Sequence, residues 1–222
     1  NKIIRLNLNP RAIIFDLGLS SFQLSDSKRG FSFKSKELSM QMGINKYSAY
    51  DVVNTLDRKN LANIIKLLGE EKDGKIIANK IVKCRSEKPI KTSQELASII
   101  NDAKKNYNKD KKNPATKTFQ AIRIFVNKEL TELILGLIGA TKLLSNGGTL
   151  IIVSFHSLED RIVKRFMRDQ SKPKDQPLEL PVAQDYRDIK LKLVGKKIRP
   201  SEDEVSKNQR ARSALLRIAE RC

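Results

Sequence analysis

The sequence predicts an α/β protein with a parallel sheet and a separate helical block. The apolar run Ala12-Ile13-Ile14-Phe15 lacks alternation and stops at an acid, the pattern of a strand covered on both faces, and a second run, Thr149-Leu150-Ile151-Ile152-Val153, reads as another buried strand. The second run follows a helical pattern and Asn146-Gly147-Gly148, so helix, left-handed turn and strand form one α/β unit. Between the runs, from Ser48 to about Asn113, apolar positions recur at helical spacing, as in Leu61, Ile64, Ile65 and Leu68, then Ile76, Ile77 and Ile81, then Leu96, Ile99 and Ile100.

A chain of 222 residues with 39% hydrophobic content suffices for one large domain or two small ones. No stretch approaches the roughly 18 apolar residues that span a bilayer, and no signal-peptide apolar region opens the chain, so no membrane partner is expected. Forty-four Lys and Arg against 25 Asp and Glu give 44 − 25 = +19. That balance favours a polyanion, nucleic acid foremost, with a compositional bias and a solvated basic face as the alternative. Four Tyr, eight Phe and no Trp supply few stacking platforms, which argues against a pure single-strand-binding module. Cys84 and Cys222 lie in no CxxC pair and away from the sole histidine, His156. Neither a metal site nor a disulfide framework is expected, and the cytoplasm is the expected compartment. Cys84 falls in a helical pattern and reads as a small buried hydrophobe.

The first strand ends at Asp16. In parallel α/β sheets ligands bind beyond the carboxyl ends of the strands, so Asp16 either presents a carboxylate to a ligand or caps the next helix, with Ser20 or Ser21 as alternative caps. The following loop contains Arg29, suited to a phosphate, and Phe31 and Phe33, which either stack on a base or anchor the loop in a core. Thr92-Ser93-Gln94-Glu95 has capping-box spacing. The run Lys104 to Lys112, with Tyr107 inside it, is either a solvated loop or an RNA-backbone contact. A helix is expected to start near Thr116 or Thr118 and helical periodicity continues to Leu144.

The second strand leads into Ser154-Phe155-His156-Ser157-Leu158-Glu159-Asp160-Arg161. Ser157 and Asp160 have capping-box spacing, so a helix is expected to begin there, with His156 in the same crevice position as Asp16. No nucleophile elbow accompanies the histidine. Residues 171–188, with Pro173, Pro177 and Pro181, read as a linker. Ile189 to Val194 alternates as a strand, Pro200 to Val205 reads as a short capped helix, and Ala214 to Ala219 reads as a closing strand. Arg210 and Arg212 flank an alanine before that strand and suit either a phosphate or a solvated turn.

Five blocks resemble, in order, the bacterial 16S ribosomal RNA cytosine-N4 methyltransferases: Phe15-Asp16-Leu17-Gly18-Leu19-Ser20-Ser21-Phe22-Gln23-Leu24, Arg29-Gly30-Phe31-Ser32-Phe33, Pro114-Ala115-Thr116-Lys117-Thr118-Phe119-Gln120-Ala121-Ile122-Arg123, Ser154 to Arg161, and Arg210-Ala211-Arg212-Ser213. The resemblance implies the C-terminal portion of a Rossmann-like, S-adenosyl-L-methionine-dependent methyltransferase with an inserted helical domain. On this reading residues 1–24 and 119–222 form the partial methyltransferase domain from strand four onward, and residues 25–118 form the helical substrate-recognition insert. It implies methyl transfer to the exocyclic amine of one cytidine in 16S rRNA of the small ribosomal subunit.

Asp16 and Gln23 match the family's cofactor contacts. From position, His156 or the Ser20-Ser21 loop is expected near the base as the catalytic group. Phe31, Phe33 or Tyr107 would receive the target cytosine once it leaves its stack. Arg29, Lys117, Arg123, Arg161, Lys164, Arg165, Arg210 and Arg212 would hold the RNA backbone. Two segments depart from the family pattern: its Leu-Asp-Met-Arg-Met-Asp stands here as Leu38-Ser39-Met40-Gln41-Met42-Gly43, and its Gly-Glu-Glu-Arg-Phe as Gly69-Glu70-Glu71-Lys72-Asp73. The family's glycine-rich cofactor loop and ribose-binding acid would lie upstream of Asn1. The expectation is therefore a fragment, whether a truncated record, half of a split gene or a decaying copy. A catalytically inactive RNA-binding remnant, and a different α/β enzyme using Asp16 and His156 as an acid-base pair, are the rival expectations.

Overall fold

The computed structural model describes residues 9–43, 45–104, 113–172 and 189–222. Tyr107, most of the basic run at 104–112 and the proline-containing stretch from Pro173 to Pro181 lie outside them. The chain forms two compact units, Asn1–Gly18 with Leu130–Cys222, and Leu19–Glu129. The mixed α/β architecture with a central sheet and many helices agrees with the expected methyltransferase fold class.

The first unit is built on a four-stranded sheet. Strands β1 (Ala12–Asp16), β2 (Thr149–Ser154), β3 (Leu191–Leu193) and β4 (Leu215–Arg221) lie in the order β1-β2-β4-β3. β1 and β2 are parallel, with Ile14 opposite Ile151 and Asp16 opposite Val153, whereas β4 runs antiparallel to β2 and β3. The core joins Leu150, Ile152, Leu191 and Ala219 of the sheet to Leu133, Leu137 and Ala140 on one helix and Val163 and Met167 on another. Gly147, at φ +73, makes the expected left-handed turn before β2.

The expectation that β1 is covered on both faces is corrected. Its residues alternate, with Ile13 and Phe15 packed against the core and Ile14 66% exposed. The unbroken apolar run hides this, because a side-chain period of two sends Ile14 away from its neighbours.

The second unit is helical: α1 (Ser21–Ser25), α2 (Ala49–Thr55), α3 (Arg58–Gly69), α4 (Gly74–Glu87), α5 (Ser93–Ala103) and α6 (Thr116–Asn127). Leu61, Ile65, Ile77, Ile81, Leu96, Ile100, Phe119 and Ile122 supply its core. The box at Thr92 and Glu95 forms as the spacing predicts. Arg85 closes the end of α2, donating to the Val53 carbonyl at 2.6 Å and to that of Leu56 at 2.5 Å. Those C-terminal carbonyls have no intrahelical partner, and a guanidinium satisfies both. Cys84 is half-buried, not enclosed as expected.

The long periodic stretch after Thr116 is two helices, not one. Lys128 adopts φ +51 and stops α6, and α7 (Glu129–Leu143) begins immediately after it. Apolar spacing carries no signal for a one-residue left-handed break in a lysine. α8 (Ser157–Gln170) follows β2, and a short α9 (Glu202–Lys207), capped by Ser201, precedes a 3-10 turn at Gln209–Ser213. Among the described residues no helix is long and apolar enough to cross a membrane.

Candidate functional site

The parallel strands β1 and β2 finish side by side, which places Asp16 next to the turn that follows Ser154. Leu17 continues the pairing, donating its N–H to the Val153 carbonyl at 3.0 Å. Gly18 then turns at φ +95, and a Cβ there would meet the Phe155 ring at 3.6 Å. The strain of that φ, rather than lack of room, calls for glycine. Asp16 is exposed at this strand end, where a parallel sheet presents groups to ligands.

The turn after β2 is held by Glu159, whose side chain is 4% exposed. Its Oε2 accepts from the N–H groups of Phe155 at 2.9 Å and His156 at 3.3 Å. His156 in return accepts the Glu159 N–H on Nδ1 at 3.4 Å. The capping box of α8 is thus His156 with Glu159, one residue earlier than the Ser157 and Asp160 pair the spacing suggested. An imidazole nitrogen can accept like a hydroxyl, and the extended backbone of His156 permits it. Nε2 is the ring's other nitrogen. That nitrogen lies 3.1 Å from Glu159 Oε1 but off the line of a directed hydrogen bond. His156 is therefore locked in orientation by the residue three positions on.

Asp160 is turned toward the sheet instead. Its carboxylate takes both arms of Arg217 on β4, at 2.7 and 3.0 Å. The Arg217 hydrogen bond holds its carboxyl below the usual range, burial opposes this, and the charges of Arg217, Lys197 and Lys164 add to the lowering.

Ser20 and Gln23 belong to the helical unit and meet each other there. Ser20 Oγ accepts from Gln23 N at 3.2 Å and Gln23 Oε1 accepts from Ser20 N at 3.0 Å, a capping box at the start of α1. Of the expected RNA contacts, Arg29 pairs with Asp26 at 3.3 Å, Lys117 donates to the Glu70 carbonyl at 2.9 Å, and Arg123 grips Glu129 with two bonds of 2.8 Å. Phe31 is buried in the helical core, and Phe33 meets Phe119 edge-on at 4.8 Å. Arg161, Lys164 and Arg165 lie on the exposed side of α8, and Arg210 and Arg212 are exposed on the 3-10 turn. Glu159 and Asn127 were not singled out from the sequence. The first was readable as the third residue of a cap beginning at His156.

Asn127 ties down the segment that departs from the family pattern. Its side chain donates to the Met40 carbonyl at 2.7 Å and accepts from Met42 N and from Asn45, both at 2.8 Å. Gln41 within that segment donates to the Asn45 carbonyl at 2.9 Å.

The MraW methylase family model matches residues 5–222. The ribosomal RNA small subunit methyltransferase H of Marinomonas sp. strain MWYL1 is 47% identical over 211 residues, covering 94% of this chain and 67% of the relative. Its namesake from Pseudoalteromonas atlantica strain T6c is 48% identical over 214 residues, covering 94% and 68%. That of Caldicellulosiruptor saccharolyticus is 46% identical over 212 residues, covering 94% and 69%. Identity at this level along almost the whole described chain, with Asp16 and the Phe155-His156 turn at the ends of adjacent parallel strands, makes this protein a member of the MraW methylase family.

Proposed function

We propose that the chain methylates, or forms the C-terminal part of an enzyme that methylates, the N4 amine of a cytidine in 16S rRNA of the small ribosomal subunit in the cytoplasm. The family match over residues 5–222 carries this reading. S-adenosyl-L-methionine would supply an electrophilic methyl on its sulfonium. The residues present fit that donor in kind: the Asp16 carboxylate is exposed at a strand end and Gly18 leaves the adjacent turn open.

Asp16 and Gln23 are the proposed cofactor contacts, and residues 25–118 the proposed substrate-recognition insert, with 1–24 and 119–222 as the methyltransferase part. The attacking amine must lose a proton, and positioning supplies much of the rate. His156 and Ser20 are proposed near the reacting base. The cap on α8 fixes the His156 ring, so its contribution as placed is to hold the strand-end turn. Arg29, Lys117, Arg123, Arg161, Lys164, Arg165, Arg210 and Arg212 are the proposed RNA-facing cations, although Arg123 would first have to release Glu129.

The test is transfer of labelled methyl from S-adenosyl-L-methionine to small ribosomal subunits lacking the modification, followed by nucleoside analysis for N4-methylcytidine. Label on another base or on protein would defeat the substrate assignment. The charge of +19 favours a second reading, RNA binding without methyl transfer, which retained RNA affinity with no S-adenosyl-L-methionine binding would identify.

A further inference from the structure

A basic groove in the sheet-bearing unit lies between α8 and the antiparallel pair β3–β4. It is lined by Lys164, Met167 and Arg168 of α8, by Leu193 through Lys197, and by Arg217 and Ile218 of β4. Its floor is apolar and its rim carries five cations. The enclosed volume, about 180 Å³, falls below the roughly 300–1,000 Å³ of pockets that engulf a drug-sized molecule. The shape suits a contact along a polymer rather than a buried small ligand.

The β3–β4 pairing is irregular where it meets the groove. Leu193 faces Ala219 and Val194 donates to the Ile218 carbonyl, so a regular ladder would set Lys196 opposite Leu216. Ile198 stands there instead, and 198 − 196 = 2 extra residues bulge from the strand. Bulges re-aim side chains at sheet edges, and this one extrudes Gly195-Lys196-Lys197, all exposed.

What distinguishes these cations is their gathering around one apolar floor. Of the five, Arg168 has Asp169 and Arg217 has Asp160. Among the described residues no carboxylate lies within ion-pair distance of Lys164, Lys196 or Lys197, and the adjacent Asp160 is committed to Arg217. Like charges gathered over an apolar floor repel one another until a polyanion neutralises them.

We infer that this groove is an RNA-backbone docking surface, with Lys164, Lys196 and Lys197 contacting phosphates and Leu193, Val194 and Ile218 supporting the sugar-base side of the strand. The inference rests on the RNA-directed reading above and adds Arg168, Lys196 and Lys197 to the cations proposed there. Phosphate contacts of this kind fix register and carry no base identity.

The experiment is fluorescence anisotropy of a labelled oligoribonucleotide of small-subunit rRNA sequence, titrated with the full chain over a range of salt. Changing Lys196→Ala together with Lys197→Ala is expected to weaken binding by about fivefold to tenfold. It should also flatten the slope of log affinity against log salt by about 0.7 per lysine. Changing both to Arg should restore affinity. Two exposed helical lysines, Lys59→Ala with Lys142→Ala, serve as the equal-charge control. Unchanged binding by the groove variant, or an equal loss in the control, overturns the groove and leaves the RNA reading standing. Failure of the unaltered chain to bind the RNA overturns both.

Discussion

Asp160 and Arg217 join the first turn of α8 to the middle of β4 through two charge-assisted bonds, with only 15% and 17% of their side chains exposed. The pair links the helix that follows the His156 turn to the strand bordering the basic groove. Cutting it by Asp160→Ala leaves a largely buried guanidinium unpaired and is expected to cost about 1–3 kcal/mol, read as a lower urea midpoint at unchanged slope.

The same pair predicts a pH dependence. The folded-state carboxyl of Asp160 is depressed, so its contribution is present above the unfolded value of about 3.9 and fades as pH falls through the lower folded value. Comparing wild type with Asp160→Asn should show a stability difference at neutral pH that narrows in acid below about pH 4. A constant difference down the titration would contradict the assignment.

His156 caps α8 through Nδ1. Replacement by Asn, which caps as well, should leave stability within a few tenths of a kcal/mol, whereas Ala should cost about 1 kcal/mol. Methyl transfer measured on both variants in the complete enzyme then separates the roles. Activity that follows stability marks a positioning residue, and activity lost in both variants marks a need for the imidazole itself.

Gly69 ends α3 against α6, where a Cβ would stand 2.5 Å from the Lys117 carbonyl oxygen and 3.2 Å from the Ala121 methyl. Backbone cannot swing aside as a side-chain tip can. Gly69→Ala should force the two helices apart and destabilise the helical unit by about 1–3 kcal/mol, visible as a lower melting temperature.

Asn127 both donates to Met40 and accepts from Met42. Asn127→Asp keeps the acceptor and loses the donor, so the Met40 carbonyl loses its side-chain partner. Hydrogen exchange should accelerate at Met42 in Asn127→Ala more than in Asn127→Asp, and protection at Ile65 in the core should change least.

Periodicity and cap chemistry made the helices legible: Thr92 with Glu95, Ser201 before α9, and the glycine turn ahead of β2 all sit where spacing placed them. Strand ends at Asp16 and Ser154 were readable too, because an apolar run must stop where polar groups begin. Tertiary structure decided what each polar group faces. Ser157 and His156 both precede an acid three positions on, and only the burial of Glu159 and the capture of Asp160 by Arg217 selected the histidine cap. Ile14 was indistinguishable from Ile13 in the sequence, yet strand pairing sent one outward and the other into the core. Nothing in the sequence singles out Lys196 and Lys197; a bulge, defined by pairing with a strand about 20 residues further along, sets them beside Lys164. Local conformation follows from neighbours along the chain, but the partner of a charge depends on segments distant in sequence, and that information exists only once the chain has folded.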